Sequence, residues 1–176
     1  MILIKLNAID STNTYLKTLC RNNAVENFTV VTAQSQTNGR GQMGATWQTE
    51  TGKNLIMSIL FRNSWQDFSA LFLLNIAVAL SVYDVLFELE IPNLSVKWPN
   101  DIMAGNKKIA GILIENIFKT DKTVESIIGI GLNVNQTSFD NLPKASSLLL
   151  ITNQEFNVDY LAEKIAEKIQ RSCQKL

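Results

Sequence analysis

The segment from 94 to 134 is the part of the sequence that most restricts the fold. It contains apolar runs rich in Val and Ile, separated by a Gly-Asn turn at Gly105 and by a second turn signal, "TDKT", at 120–123. Short apolar runs separated by such turns predict a meander of antiparallel strands. Pro99 is expected to end the first strand, because proline has no backbone N–H to donate to a neighbouring strand.

The rest of the chain alternates between strand and helix patterns. The segment 67–90 is apolar on nearly all sides and predicts a buried central helix of roughly 35 Å at 1.5 Å per residue. Asn75, Asp84 and two serines within it argue against a membrane span. Further strands are predicted at 2–8, 27–36 and 54–61. A helix is predicted at 9–23, capped near Asp10 or Ser11, with Leu16 and Leu19 facing inward. A C-terminal helix is marked by the spacing of Leu161, Ile165 and Ile169. Residues 1–176 are therefore expected to form a single α/β (α+β) domain, with a mixed, largely antiparallel sheet and packed helices.

Composition excludes several kinds of chemistry. The sequence has 16 Lys and Arg against 16 Asp and Glu, so it lacks the basic excess typical of nucleic-acid binding. It contains no histidine, which excludes Ser-His-Asp and Cys-His catalysis and argues against a zinc site, so no protein-held metal is predicted. The two cysteines, Cys20 and Cys173, and the lack of a signal peptide or membrane span predict a cytoplasmic protein.

Residues 37–47, "TNGRGQMGATW", contain the spacing G-x-G-x-x-G from Gly39 onward. A dinucleotide-binding loop and a P-loop both require a helix directly after the glycines, whereas here a polar stretch and another strand follow, so both are excluded. Two interpretations remain open. The segment is either a flexible hairpin loop, or an anion-binding loop in which Arg40 pairs with phosphate or carboxylate and Trp47 stacks on a ligand or excludes water.

Other polar groups stand within apolar surroundings. The Ser-Thr-Asn run at 11–13 lies at a helix N-terminus and either caps that helix or contacts a polar ligand. Lys97 and Lys108 lie near strand ends, where a lysine commonly extends to water. Gly129 and Gly131 interrupt a buried strand, which indicates either a packing requirement or a close approach of another group to the backbone.

Six segments, taken in order and with their spacing, resemble the biotin protein ligases, also called biotin–[acetyl-CoA-carboxylase] ligases. They span about residues 1–150, and the combination of "KWPND", "KIAGILIE" and "GLNVN" is far more specific than the glycine spacing. The segments are "DSTNTYLK" (10–17), "QTNGRGQMG" (36–44), "NLIMSILF" (54–61), "KWPNDI" (97–102), "KKIAGILIE" (107–115) and "GIGLNVN" (129–135).

The resemblance implies a fold and an activity. The fold would be that of the biotin/lipoate protein ligase catalytic domain, which is similar to class II synthetases. The activity would be ATP-dependent conversion of biotin to biotinyl-5′-AMP, with Mg²⁺ accompanying ATP. The biotinyl group would then pass to a lysine of a biotin carboxyl carrier protein. Neither nucleic acid nor a membrane is an expected partner, and a homodimer is one expected assembly because homodimers are common among relatives.

The resemblance also implies roles for individual residues. Lys108 resembles the lysine that meets the biotin carboxylate and the α-phosphate, and with Arg40 and Asp101 it forms the predicted catalytic set. Asp101 and Asn133 are similar to residues near ATP and its Mg²⁺. The predicted binding set covers the segment at the biotin ureido ring (11–13), the glutamine beside the biotin tail, the glycine-rich loop, the pocket lining and the ATP region. Its members are Ser11, Thr12, Asn13, Gln36, Gly39, Arg40, Gly41, Gln42, Trp47, Lys108, Gly111, Leu113 and Asn133.

Three departures from the family pattern lead to further expectations. Gln42, Met43 and Ala45 stand where arginines are common, so weaker retention of the adenylate is expected. A chain that ends after a helix at Leu176 is expected to lack the small C-terminal β-barrel of many members. Because the first strand is predicted to begin at residue 2, neither a helix-turn-helix domain nor a repressor role is expected. The alternative functions are a non-catalytic biotin or biotinyl-AMP binding module, and a lipoate or octanoate ligase on the same fold.

Overall fold

The computed structural model of this chain describes residues 1–64, 69–140 and 142–176, which fold around one seven-stranded sheet. Its strands are β1 (Leu3–Ile9), β2 (Val30–Gln36), β3 (Leu55–Ser64), β4 (Leu94–Lys97), β5 (Asp101–Ala104), β6 (Lys107–Phe118) and β7 (Thr123–Leu132). Its helices are α1 (Thr12–Asn22), α2 (Ser69–Glu88), α3 (Leu148–Thr152) and α4 (Val158–Cys173), with one 3₁₀ turn at Gln42–Gly44.

The strand order in the sheet is β1-β2-β3-β7-β6-β5-β4. Only the β1–β2 pair is parallel, and each of the other neighbouring pairs is antiparallel. The fold is therefore a mixed, largely antiparallel sheet with packed helices, and the predicted fold class is confirmed. β3 is paired with β7 over its whole length, from Leu55 opposite Leu132 to Ser64 opposite Thr123, so β7 lies at the centre of the sheet.

The predicted meander over 94–134 is confirmed with one additional strand. Pro99 ends β4 as expected, but the chain then reverses and forms β5 before it reaches the Gly105 turn. This short strand pairs with β4 on one side and with β6 on the other. Ile102 and Ala104 alternate with less buried residues and contribute to the core, which explains why so short a segment is held in the sheet.

Helices cover the two faces of the sheet unequally. Alternate residues of β3 point to opposite faces, so Ile59 packs into the larger cluster with α2 and α4. Leu60 packs into a smaller cluster formed with Leu16 of α1. Ser11 caps α1, Leu16 is fully buried and Leu19 is partly buried, as predicted. The smaller helical cover on the α1 face leaves room for a cavity beside that helix.

The prediction of a buried central helix is correct for one face of α2 and wrong for the other. By length and composition α2 could cross a membrane, and it is the one helix among the described residues that could. In this fold it packs along α4 and against β4, and its other face carries exposed large side chains. Residues 67 and 68 of the predicted helix lie outside the described residues. The buried face includes Leu74, Val78, Val82 and Leu86, and the exposed large side chains are Phe72, Leu73, Leu80 and Phe87.

Ile165→Ala should lower the free energy of unfolding by about 2–5 kcal/mol, because it leaves a cavity in the layer between α4 and the sheet. Ile165 is fully buried and belongs to the larger cluster. Urea unfolding followed by circular dichroism would measure the change. Glu163→Ala on the exposed side of the same helix is the control and should change the free energy by less than about 0.5 kcal/mol. Equal effects of the two substitutions would contradict the assigned packing.

Candidate functional site

A cavity of about 350 Å³ opens on the α1 face of the sheet. The N-terminus of α1 forms its floor, strands β3, β5, β6 and β7 form its wall, and the loop at 39–47 covers it. Its volume lies within the range of about 300–1,000 Å³ that is typical of small-molecule sites. Its position follows from the fold, because a short helix and a loop, rather than a packed helical layer, cover this part of the sheet.

Three glycines deepen the cavity along the sheet. Gly129 and Gly131 face the same side of β7, and Gly111 of β6 is the direct partner of Gly131. A β-carbon on Gly129 would lie 2.5 Å from Oδ1 of Asn13, and one on Gly131 would lie 2.5 Å from Nε1 of Trp47. Both interpretations left open for the strand glycines therefore apply, because the groups that approach the backbone closely are Asn13 and Trp47, which pack there as part of the fold.

The floor is a group of buried, hydrogen-bonded side chains. The backbone N–H and the hydroxyl of Thr12 lie 2.8 and 3.1 Å from Oε1 of Gln36. The Ser58 hydroxyl oxygen lies 2.7 Å from Oγ1 of Thr12 and 2.6 Å from Oδ1 of Asn13. Ser11 is the N-cap of α1 and also lines the cavity. N-capping and pocket lining, which were alternatives from sequence, are thus both true of this segment.

The glycine-rich loop is a hairpin that also lines the cavity. The backbone N–H of Gly41 donates to the carbonyl of Ala45 at 2.7 Å, and that of Trp47 donates to the carbonyl of Gly39 at 2.9 Å. Arg40 extends from this hairpin toward α1, where its Nη2 donates to Oγ1 of Thr14 at 2.9 Å. The loop therefore forms a hairpin, as one interpretation predicted, and this hairpin also lines the cavity as the ligand-binding interpretation requires.

Lys108 and Trp47 meet at the end of the cavity opposite α1. Nζ of Lys108 lies 2.6 Å from Oδ1 of Asp101 and 5.6 Å from the centroid of the Trp47 ring. The buried Nε1–H of the indole has no acceptor among the described residues. Lys97 is exposed and lies outside the cavity lining, so the interpretation as a water-exposed lysine applies to it and not to Lys108.

Glu115 on β6 links the floor to the loop, a role that sequence reasoning missed. Its Oε1 lies 2.5 Å from Nζ of Lys17, and its Oε2 accepts from Nδ2 of Asn13 at 2.8 Å and lies 3.5 Å from Nη2 of Arg40. Burial alone would raise the pKa of Glu115, but the hydrogen bonds from Lys17 and Asn13 and the nearby cations outweigh it and lower the pKa. The available sequence signal was a lone carboxylate within an apolar strand.

The structure brings most of the predicted site residues together around the cavity. Gly39 instead packs beneath the loop, where a β-carbon would meet Gln36 and the Trp47 backbone. Asn133 is buried outside the lining and donates to the carbonyl of Ser146 at 3.0 Å. The predicted residues in the lining are Ser11, Thr12, Asn13, Gln36, Arg40, Gly41, Gln42, Trp47, Asp101, Lys108, Gly111 and Leu113.

Several lining residues were not predicted from sequence. Gly129 and Gly131 carried a signal, because glycine is unusual within a strand. The apolar members carried none, since their strands are apolar throughout. These additional lining residues are Met43, Ala45, Thr46, Ile56, Met57, Pro99, Asn100, Ile112, Gly129, Ile130 and Gly131. Within the described ranges, no group of three or more His, Cys, Asp or Glu side chains could hold a metal ion.

Comparisons with known proteins point to one family. The sequence model of the biotin/lipoate A/B protein ligase family matches residues 6–133. The bifunctional ligase/repressor BirA of Bacillus spizizenii is 37% identical over 140 residues, which cover 78% of this chain and 42% of that protein. The biotin–[acetyl-CoA-carboxylase] ligase of Mycobacterium tuberculosis is 34% identical over 142 residues, which cover 79% and 52% respectively. This chain therefore spans about half the length of the curated relatives it matches.

A solved structure extends the likeness to almost the whole chain. The biotin protein ligase from Aquifex aeolicus, in complex with biotin and ATP, superposes with a TM-score of 0.83 at 33% sequence identity. The match covers 99% of this chain and 71% of that chain. The architecture described above, including α3 and α4 beyond residue 133, is therefore similar to that of this protein.

The pKa of Glu115 predicts a loss of stability in acid. The same cause acts on Glu125, whose burial would raise its pKa but whose hydrogen bonds to Arg62 and Lys119 lower it below the ordinary value of 4.5. A carboxylate whose pKa is lowered in the folded state contributes to the free energy of unfolding above pH 4.5. This contribution is lost as the pH falls through the pKa of the folded state. Urea unfolding between pH 7 and 3 should therefore show a falling free energy of unfolding, and Glu115→Gln and Glu125→Gln should each make the fall less steep. An unchanged slope in both variants would contradict the lowered pKa values.

Proposed function

Because this chain belongs to the biotin/lipoate A/B protein ligase family, we propose that it converts biotin and ATP to biotinyl-5′-AMP. It then transfers the biotinyl group to a lysine of a biotin carboxyl carrier protein. The observation that carries the proposal is one cavity with a buried polar floor at one end and the Lys108 ammonium at the other. A polar ring with a tail that ends in a carboxylate would satisfy both ends.

The floor favours a ring that both donates and accepts hydrogen bonds. Ser11, Thr12 and Asn13 are each at least 96% buried, and all three line the cavity. A cyclic urea supplies a carbonyl oxygen and N–H groups to such a floor. An apolar ring, such as the dithiolane of lipoate, would offer no acceptor to the Ser11 hydroxyl, which donates to no described residue, and an unpaired buried polar group costs about 1–3 kcal/mol.

In the first step, a carboxylate oxygen of biotin attacks the α-phosphorus of ATP, and pyrophosphate leaves. Two anions must approach each other, so a fixed cation near both lowers the barrier. Lys108 would supply that cation. Its pairing with Asp101 at 2.6 Å holds the ammonium beside Gly111, at the end of the cavity that Trp47 covers.

The loop would protect the product of this step. Biotinyl-AMP is a mixed anhydride that water hydrolyses, so a cover that excludes water extends its lifetime. Trp47 lies over the glycines of β6 and β7, and its unpaired buried Nε1–H offers a donor to a ligand oxygen. Arg40 extends from the same hairpin and would add positive charge at the edge of the cavity.

In the second step, the acceptor lysine amine attacks the anhydride carbonyl carbon, AMP leaves, and a proton is released from the new amide nitrogen. No nucleophile of the enzyme is required, which agrees with a sequence that has no histidine. Magnesium bound to nucleotides is held mostly by phosphates and water with one or two carboxylates. Asp101 is the carboxylate that the described cavity lining offers to such an ion. We place the reaction in the cytoplasm, with a homodimer as one form of the protein.

Lys108→Ala should reduce biotin- and ATP-dependent pyrophosphate release by at least about 100-fold, because removing one charge-stabilising group from a transition state typically costs that much. Intact-mass measurement of a biotin carboxyl carrier domain, incubated with the purified chain, Mg·ATP and biotin, would show whether the biotinyl group is added. Lys97→Ala, which removes an exposed lysine outside the cavity lining, is the control and should retain activity. Wild-type rates in a folded Lys108→Ala variant would rule out the assigned role. If the wild-type chain binds biotin but modifies no carrier, it is a non-catalytic binding module.

Arg40→Ala should shorten the lifetime of bound biotinyl-AMP while leaving biotin affinity almost unchanged, because Arg40 lies at the cavity edge and not on the floor. Release of the adenylate can be followed by filtration of the protein after a single turnover. A bound adenylate that is released at the wild-type rate would contradict a role of the loop in retention.

A further inference from the structure

We propose that Glu115 is a positioning residue that sets which atoms of the cavity floor donate and which accept hydrogen bonds. Through the floor, Glu115 would determine the preference for a cyclic urea over a ring with the reversed pattern. This inference rests on the proposed function. It comes from contacts that lie behind the cavity lining, because Glu115 itself does not line the cavity.

Glu115 fixes the orientation of the Asn13 side-chain amide. Its Oε2 accepts from Nδ2 of Asn13 at 2.8 Å, and the carbonyl of Leu113 lies 3.5 Å from the same nitrogen. A flipped amide would place Oδ1 against two acceptors, a carboxylate oxygen and a carbonyl oxygen. Asn13 is 4% exposed, so water cannot compensate for such a contact. Oδ1 therefore faces Ser58.

The orientation of Asn13 passes through Ser58 to Thr12. Oδ1 of Asn13 can only accept, so the single proton of the Ser58 hydroxyl is committed to it across 2.6 Å. Once that proton is committed, the 2.7 Å contact between Ser58 and Thr12 needs the proton of the Thr12 hydroxyl, with Ser58 as the acceptor. Oε1 of Gln36, 3.1 Å from Oγ1 of Thr12, is a competing acceptor, but the backbone N–H of Thr12 already donates to it at 2.8 Å. Ser58 is completely buried, so no water offers another arrangement.

The consequence is a defined pattern at the surface of the floor. Because the proton of the Thr12 hydroxyl points inward, its remaining lone pair is free to accept from an N–H of a ligand. The Ser11 hydroxyl donates to no acceptor among the described residues, so its proton is free for a carbonyl oxygen. An acceptor beside a donor matches the N–H and C=O of a cyclic urea.

A carboxylate maintains this pattern better than an amide would. Nζ of Lys17 lies 2.5 Å from Oε1 of Glu115, so the other carboxylate oxygen, Oε2, faces Asn13. A glutamine at 115 could present its NH₂ group to Asn13 instead. Asn13 would then be able to flip, and the hydroxyl protons of Ser58 and Thr12 could reverse. The shape of the cavity would be the same, but its donor and acceptor pattern would no longer be unique.

The test compares biotin with 2-iminobiotin, in which a donor-bearing imino group replaces the urea oxygen. Titration calorimetry without ATP gives the dissociation constants, and the ratio between the two ligands measures the preference. Glu115→Gln should lower the ratio about tenfold, chiefly through weaker binding of biotin, since about 1.4 kcal/mol corresponds to tenfold. The melting temperature, measured in parallel, shows whether the variant is folded.

Two further variants separate the positioning role from a general structural one. Glu125→Gln removes a carboxylate that also pairs with two cations on the sheet, Arg62 and Lys119, but that lies far along β7 from the cavity. It should leave the ratio unchanged. Ser58→Ala interrupts the path between Asn13 and Thr12. It should lower the ratio by itself, and adding Glu115→Gln to it should have little further effect.

Each outcome distinguishes the inference from the proposed function. The positioning role is overturned if Glu115→Gln or Ser58→Ala leaves the ratio unchanged, or if Glu125→Gln lowers it equally. It is also overturned if adding Glu115→Gln to Ser58→Ala lowers the ratio as much as Glu115→Gln does in the wild-type chain. The loss would then depend on the contacts of Glu115 with Arg40 or Lys17 and not on the hydrogen bonds through Ser58. A wild-type chain that does not bind biotin would overturn the proposed function together with this inference. Biotin binding with unchanged ratios would overturn the inference alone.

Discussion

The register of β7 between β3 and β6 is the constraint on which the site depends. Side chains alternate between the two faces of a strand, so a slip of one residue would exchange the cavity face and the core face. In the observed register, Gly129 lies between Ser58 and Leu113, and Ile128 and Ile130 point into the core. The apolar residues of three strands therefore determine the register, and the register places the glycines beneath α1 and the loop.

Charged side chains in and behind the cavity lining are paired with one another. Lys108 pairs with Asp101 at one end, and behind the lining at the other end Glu115 pairs with Lys17 and lies near Arg40. A partly buried charge lowers stability unless it is paired with an opposite charge. These contacts therefore hold Lys108, Lys17 and Arg40 beside the cavity. An anionic ligand would bind by exchanging partners with Lys108, which requires less rearrangement than ordering a free lysine from solvent.

The strands and the family were readable from sequence because each rests on local or near-local patterns. The turns at Gly105 and at 120–123 predicted the meander, and the ordered motifs identified the family, whose sequence model matches residues 6–133. The strand β5 was missed, because four residues between a proline and a glycine carry too little periodicity to indicate a strand. The exposed face of α2 was missed because an apolar sequence does not show how many neighbours a helix will have.

The sequence by itself determined the sheet-forming segments, the chemistry that is available without histidine, and the ordered motifs whose resemblance to a family implied the site residues. Those features depend on residue type and on spacing along the chain. Only the tertiary structure decided that Glu115 stands behind Asn13, that Trp47 lies over Gly111 and Gly131, and that Asn133 is outside the cavity lining. These contacts join residues that are far apart in sequence, and strand register and helix packing bring them together. No local pattern encodes such distances.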